Sequence, residues 1–120
     1  MKIILMGQQA FGKSTLEKFY KETDHEIVAV YCAPDKEGKP LDPVKEYALS
    51  ENLPVFQPSN FKDKEVLDQI KSHDADLCVM AYVIIFVPEE ARNIPKLGSI
   101  CFHPSLLPLH RGPSSINWPI

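Results

Sequence analysis

A chain of 120 residues, 44% hydrophobic and 24% charged, has room for one soluble domain with a single core and not for two. Its net charge of −3, its pI near 5.8 and the lack of any basic run exclude a chain built mainly to grip nucleic acid. Phosphate backbones demand a clustered Lys/Arg surplus, so no direct nucleic-acid binding is expected.

From the amino terminus, short apolar runs alternate with helical patterns. This is the signature of βα units, and it predicts a Rossmann-like α/β fold: a mostly parallel sheet with helices on both faces. Lys2 to Met6 reads as a strand covered on both sides. Its apolar part is too short for a signal peptide or a membrane span, so no membrane partner is expected. Ala10 to Thr23 carries Phe11, Leu16, Phe19 and Tyr20 near helical spacing. Glu26 to Cys32 is the second strand, and Pro34 to Pro43, with three prolines and Gly38, is a polar loop.

Val44 to Glu51 is expected to be a helix, and Val55-Phe56 a short strand between prolines. Lys62 to Ser72 places Val66, Leu67 and Ile70 on one helical face, with Asp63 to Glu65 as its exposed start. Leu77 to Tyr82 is the fourth strand, Pro88 to Asn93 a helical turn, and Ser99 to His103 the fifth strand, ended by Pro104. Ser114 would cap a last helix beginning near Ser115, and with no stop signal before Ile120 the chain reads as cut before the end of its domain.

The cysteines Cys32, Cys78 and Cys101 are odd in number and lie in apolar runs. Reduced, mostly buried thiols of a cytoplasmic protein are expected. His25, His73 and His110 sit in polar stretches and read as solvated surface, and Trp118 reads as core.

Two segments carry possible chemistry. Gly7-Gln8-Gln9-Ala10-Phe11-Gly12-Lys13-Ser14 matches G-x-x-x-x-G-K-[ST] between a strand and a helix, the context of a phosphate-binding P-loop. Its interior lacks glycine, Phe11 is bulky where backbone would wrap a ligand, and no later strand ends in an obvious Mg²⁺-supporting acid. A nucleotide-binding domain using Gly7 to Ser14 therefore stays as the second reading, against a strand–turn–helix joint in which Gly12 permits close packing. The dinucleotide fingerprint G-x-G-x-x-G is absent, and Asp35 alone is weak support for such a site.

The stronger segment is Cys101-Phe102-His103-Pro104-Ser105-Leu106-Leu107-Pro108-Leu109-His110-Arg111-Gly112. It sets a histidine at the carboxyl end of a parallel strand, where α/β sheets place their ligands, followed by a loop stiffened by prolines. With Ile116-Asn117-Trp118 it resembles the signature of the enzymes that use 10-formyltetrahydrofolate. These comprise methionyl-tRNA, sugar-nucleotide and glycinamide ribonucleotide formyltransferases and the hydrolase domain of 10-formyltetrahydrofolate dehydrogenase. The resemblance runs back through VMAYVIIFVP and the loop around Pro34 to Lys39 to MKIILMGQQAFG, so it covers the whole chain. The loop, the amino-terminal stretch and Ile116-Asn117-Trp118 look nearest to the dehydrogenase's hydrolase domain.

The resemblance implies the formyltransferase amino-terminal fold, with residues 1–120 as the first part of a catalytic domain. It implies 10-formyltetrahydrofolate as formyl donor and substrate, no metal, and His103 as the catalytic histidine. The folate-binding surface would fall on Met80, Ala81, Tyr82, Val83, Ile84 and Phe86, beside Ser105, Leu106, Leu107 and Pro108. Arg111 is open between an anionic group of the substrate and a nearby acid. The formyl acceptor stays open among water, an amino sugar and an aminoacyl group.

Two departures stand out. Most formyltransferases place Asn two residues before the histidine, and here that position is Cys101, a weak donor. The hydrolase domain of the dehydrogenase also lacks that Asn. The family's catalytic Asp would fall beyond Ile120, so the chain alone is expected to be an incomplete site, and an inactive folate- or partner-binding fragment is the third reading. Cys101 and His103 share a strand face, which invites a Cys–His nucleophile, but an apolar strand cysteine is usually packing.

Overall fold

A computed structural model describes residues 1–83 and 86–102 and the backbone of residues 116–117. The apolar run after Met1 forms β1 (Lys2–Gly7), with every residue from Ile3 to Gly7 buried. The chain continues through α1 (Gln9–Lys21), β2 (Glu26–Tyr31), α2 (Pro43–Ser50), β3 (Val55–Phe56), α3 (Lys64–Ser72), β4 (Leu77–Ala81), α4 (Glu89–Arg92) and β5 (Ser99–Phe102). Each expected element through the fifth strand is found, with ends shifted by one or two residues. With β6 (Ile116–Asn117) the strands are ordered β3-β2-β1-β4-β5-β6, and β1 to β5 are mutually parallel. The order reverses between β1 and β4, and this is the switch point where open α/β sheets leave a crevice.

The last expected helix is replaced by a strand at its start. Ile116–Asn117 form β6, antiparallel to β5, with Phe102 facing Ile116 and Cys101 facing Asn117. Pairing there satisfies backbone groups that β5 would otherwise expose as a sheet edge, and β-branched Ile suits a strand.

Period-2 alternation divides the sheet's side chains between two cores. Ile3, Leu5, Val30 and Val79 pack with Leu16, Val44, Tyr47 and Ala48 of α1 and α2. Ile4, Met6, Tyr31, Cys78, Met80 and Cys101 pack with Phe61, Leu67 and Ile70. Leu16 and Val44 are wholly buried, each contributing about 2 kcal/mol of apolar transfer. α2 begins where it does because Asp42 caps it, its carboxylate accepting from the Val44 N–H at 2.9 Å, and because Pro43 loses no hydrogen bond at the first helical position.

His73 is not the solvated residue its polar neighbours suggest. It is half-buried at the end of α3, its Nε2 2.9 Å from the buried Tyr31 hydroxyl, which also lies 3.0 Å from Gln69 Oε1. Phe56 and Phe61 complete an aromatic cluster around Tyr31. Burial holds the imidazole below its ordinary value of 6.5 and pushes the Tyr31 hydroxyl far above its own. As pH falls, the unfolded chain therefore takes up the His73 proton first. The folded state should lose stability as pH drops below about 6.5, down to the lower folded value, and be unaffected by this group above it. Urea midpoints of the intact protein between pH 8 and pH 5 should show this decline, and His73→Gln should flatten it.

Candidate active site

The carboxyl ends of β1, β2, β4 and β5 converge on one edge of the sheet. β1 and β4 meet there at Gly7 and Ala81. A Cβ on Gly7 would lie 2.5 Å from the Ala81 carbonyl oxygen, and that oxygen accepts the Gln8 N–H at 3.3 Å. A Cβ on Gly12 would lie 2.8 Å from Val44 Cγ2 and 3.1 Å from the Gly7 carbonyl carbon. Both fixed glycines of the P-loop-like motif are thus packing glycines, as the strand–turn–helix reading expects.

The phosphate-binding reading does not fit this turn. Gln9, the first residue of α1, lies in the left-handed region at φ 61°, and its N–H points to Asp42 at 2.8 Å from Oδ1 and 2.9 Å from Oδ2. A carboxylate from the chain itself sits where a P-loop would receive a phosphate. Lys13 and Ser14 are exposed, and neither lines the cleft beside the turn. That cleft measures about 180 Å³ and lies between Gln8 and Gln9 on one side and the loop from Ala33 to Asp42 on the other. On its rim Asp35 pairs with Lys45 at 2.6 Å and accepts from Gln57 at 2.7 Å, and these bonds hold its carboxyl below the usual range. Asp35 is therefore engaged by Lys45 of α2 and by Gln57 after β3 rather than presented to a ribose.

The residues expected to bind folate fall on and after β4. Met80 and Ala81 are buried strand residues, Tyr82 and Val83 are half-buried beyond the strand, and Phe86 is 65% exposed with Lys62 Nζ 5.5 Å from its ring centroid. Tyr82 has φ 58°, a left-handed conformation that a bulky residue adopts only when its surroundings enforce it. Its N–H donates to the Phe102 carbonyl at 3.2 Å. Val83 shares a small depression with Met6, Gln8, Tyr31 and Phe61, so the end of β4 faces the crevice at the switch point.

Adjacent register joins β4 to the strand of the signature segment, with Met80 opposite Cys101 and Ala81 opposite Phe102. Cys101 is buried, its thiol 3.9 Å from Met80 Sδ, and burial pushes its pKa up. A buried thiol against a thioether, its pKa raised, fits the packing reading of Cys101. Cys78 and Cys32 are likewise buried, pushed up to about 12 and about 11, chiefly by burial. His103, Ser105, Leu106, Leu107, Pro108, Arg111 and Ile84 lie outside the described residues, as do His110, Ser114 and Trp118. Among the described residues no helix is long and apolar enough to cross a membrane.

What the sequence reading missed is the pairing of Asp42 with Gln9. The dipeptide Asp42-Pro43 is a helix-start signal, but nothing in it says that the carboxylate also reaches the turn after β1.

Known proteins with the same pattern place the chain. The family model described as "Formyl transferase" matches residues 1–120. Methionyl-tRNA formyltransferase of Fusobacterium nucleatum is 45% identical over 98% of this chain and 39% of its own length. Cytosolic 10-formyltetrahydrofolate dehydrogenase of Xenopus tropicalis is 41% identical over 98% of this chain and 13% of its own. The crystal structure of phosphoribosylglycinamide formyltransferase from Bacillus halodurans superimposes with a TM-score of 0.65 at 18% identity, covering 93% of this chain and 60% of that one. The chain thus spans well under half the length of these curated relatives. By its full-length match, its sheet order and its switch-point crevice, the chain belongs to the formyl transferase family.

Proposed function

We propose that the protein containing this chain removes or transfers the formyl group of 10-formyltetrahydrofolate, with His103 as the catalytic residue. The observation that carries this reading is the β4–β5 register. The segment expected to form the folate wall follows β4, which borders the switch point, and the segment leading to His103 is on β5, its parallel neighbour. Val83 and the exposed Phe86 offer an apolar surface to a flat pterin, whose edge would use backbone groups.

Water or an amine attacks the formyl carbon, an oxyanion builds on the formyl oxygen, and the bond from that carbon to N10 breaks. The imidazole of His103 stabilises the oxyanion or carries the proton from nucleophile to leaving nitrogen. With water the products are formate and tetrahydrofolate; with an amine, the formylated amine and tetrahydrofolate. Methionyl-tRNA, phosphoribosylglycinamide and water are the acceptors that relatives' names suggest. Cys101, engaged with Met80, leaves the position of the family's Asn without a strong donor, and water is favoured as acceptor because the hydrolase domain of the dehydrogenase, which this chain resembles, shares that departure. The same reading assigns residues 1–120 to the first part of the catalytic domain and the orienting carboxylate to a later segment. It also places the protein in the cytoplasm, where its buried thiols stay reduced.

Calorimetric titration of the intact protein with a stable 10-formyltetrahydrofolate analogue, run beside Mg-ATP, tests this reading. Saturable binding of the folate with no heat from ATP is expected. Binding of ATP alone would return the P-loop reading, and silence with both would defeat the folate site.

A further inference from the structure

The turn after β1 has the makings of an anion site that the protein has closed with its own side chain. A strand-to-helix joint at a switch point normally directs amide N–H groups and the positive end of a helix toward a bound phosphate. Here Gln9, in the left-handed region, lines the adjoining cleft of about 180 Å³, and its N–H is directed at Asp42, which lines the same cleft. Both carboxylate oxygens of Asp42 lie within 2.9 Å of that nitrogen, and Oδ1 also takes the Val44 N–H. The half-buried carboxylate joins the starts of α1 and α2, so it is fixed from two sides rather than swinging in solvent.

We infer that Asp42 is a specificity residue that closes the amino end of α1 to anionic groups. The formyl acceptor is then one that brings no phosphate or carboxylate to this turn. Two effects exclude such a group. The Gln9 N–H is already saturated by a charge-assisted bond, and a second anion beside the carboxylate would meet like-charge repulsion. Lys36 and Lys39 on the outer rim of the cleft are exposed, where water and salt screen them. The statement about the acceptor rests on the formyl-transfer reading; closure of the turn does not.

The test is titration of the intact protein, labelled with ¹⁵N-glutamine, with inorganic phosphate while the Gln9 amide signal is followed. In the native protein that signal should not move with phosphate in the millimolar range. Asp42→Ser keeps a capping oxygen for Val44 and removes the charge and the reach to Gln9. It should bind phosphate roughly tenfold more tightly or better, with the Gln9 signal shifting to saturation. If the serine protein fails to fold, Asp42→Asn, of the same shape but neutral, should still bind phosphate more tightly than the native protein at Gln9. Native protein that binds phosphate at Gln9 as well as the variants do would overturn the inference, as would folded variants whose Gln9 signal never moves. Neither measurement involves folate, so failure of the folate reading would leave this result standing, and the reverse.

Discussion

Replacing His103 with alanine in the intact protein is expected to lower turnover of 10-formyltetrahydrofolate by roughly 100- to 10,000-fold, the range for losing a positioned acid–base group. The loss should appear in kcat, with KM for the folate nearly unchanged. On the proposed mechanism the pterin is held by other residues, on and after β4 and from Ser105 to Pro108, while the imidazole would act only as the oxyanion forms. His103→Gln should recover part of the loss if oxyanion stabilisation dominates, because an amide can donate a hydrogen bond but cannot shuttle a proton. Equal loss in both variants would assign proton transfer as the main role. Normal turnover in His103→Ala would remove the residue from the mechanism.

Cys101→Ala is the informative companion. The thiol is buried against Met80 with its pKa raised, so it is expected neither to attack the formyl carbon nor to donate strongly to the oxyanion. Its removal leaves a small cavity beside Met80, and its effect falls on packing rather than on the chemical step. The contrast between positions 101 and 103, two residues apart in the sequence, separates nearness along the chain from shared chemistry.

Much of this was legible in the sequence because its causes are local. Continuous apolar runs announce buried parallel strands, and prolines and polar clusters mark where they stop; Val55-Phe56 between two prolines is a case that admits little else. The signature around His103 was legible for another reason, its length and specificity. Features set by distant contacts were not. His73 sits among polar neighbours in sequence, yet Tyr31, 42 positions away, engages it in a half-buried contact. Ile116–Asn117 follow a serine pair that reads as a helix start, but the edge of β5 recruits them as a strand. The left-handed conformations at Gln9 and Tyr82 have no glycine to mark them, and they lie at the ends of β1 and β4, where the crevice opens. Local rules break where a site must be shaped.

Gly7→Ala is expected to destabilise the protein by about 2–3 kcal/mol, the cost of forcing one carbon into a packed position whose neighbour is backbone. The new Cβ would stand 2.5 Å from the Ala81 carbonyl oxygen, closer than real contacts allow, and a main-chain carbonyl in a paired strand cannot rotate aside. β1 and β4 would have to part at their carboxyl ends, weakening the Gln8-to-Ala81 bond and widening the small depression that Gln8 and Val83 share. Folate affinity should therefore fall together with the urea midpoint, since Gly7 and Val83 line the same depression. Stability unchanged within about 0.5 kcal/mol would mean that the two strand ends part easily, and that the glycine at this position reflects something other than close approach. A joint loss would show that the first glycine of the P-loop-like motif serves the seam between β1 and β4, on which a formyl-folate site at the switch point depends.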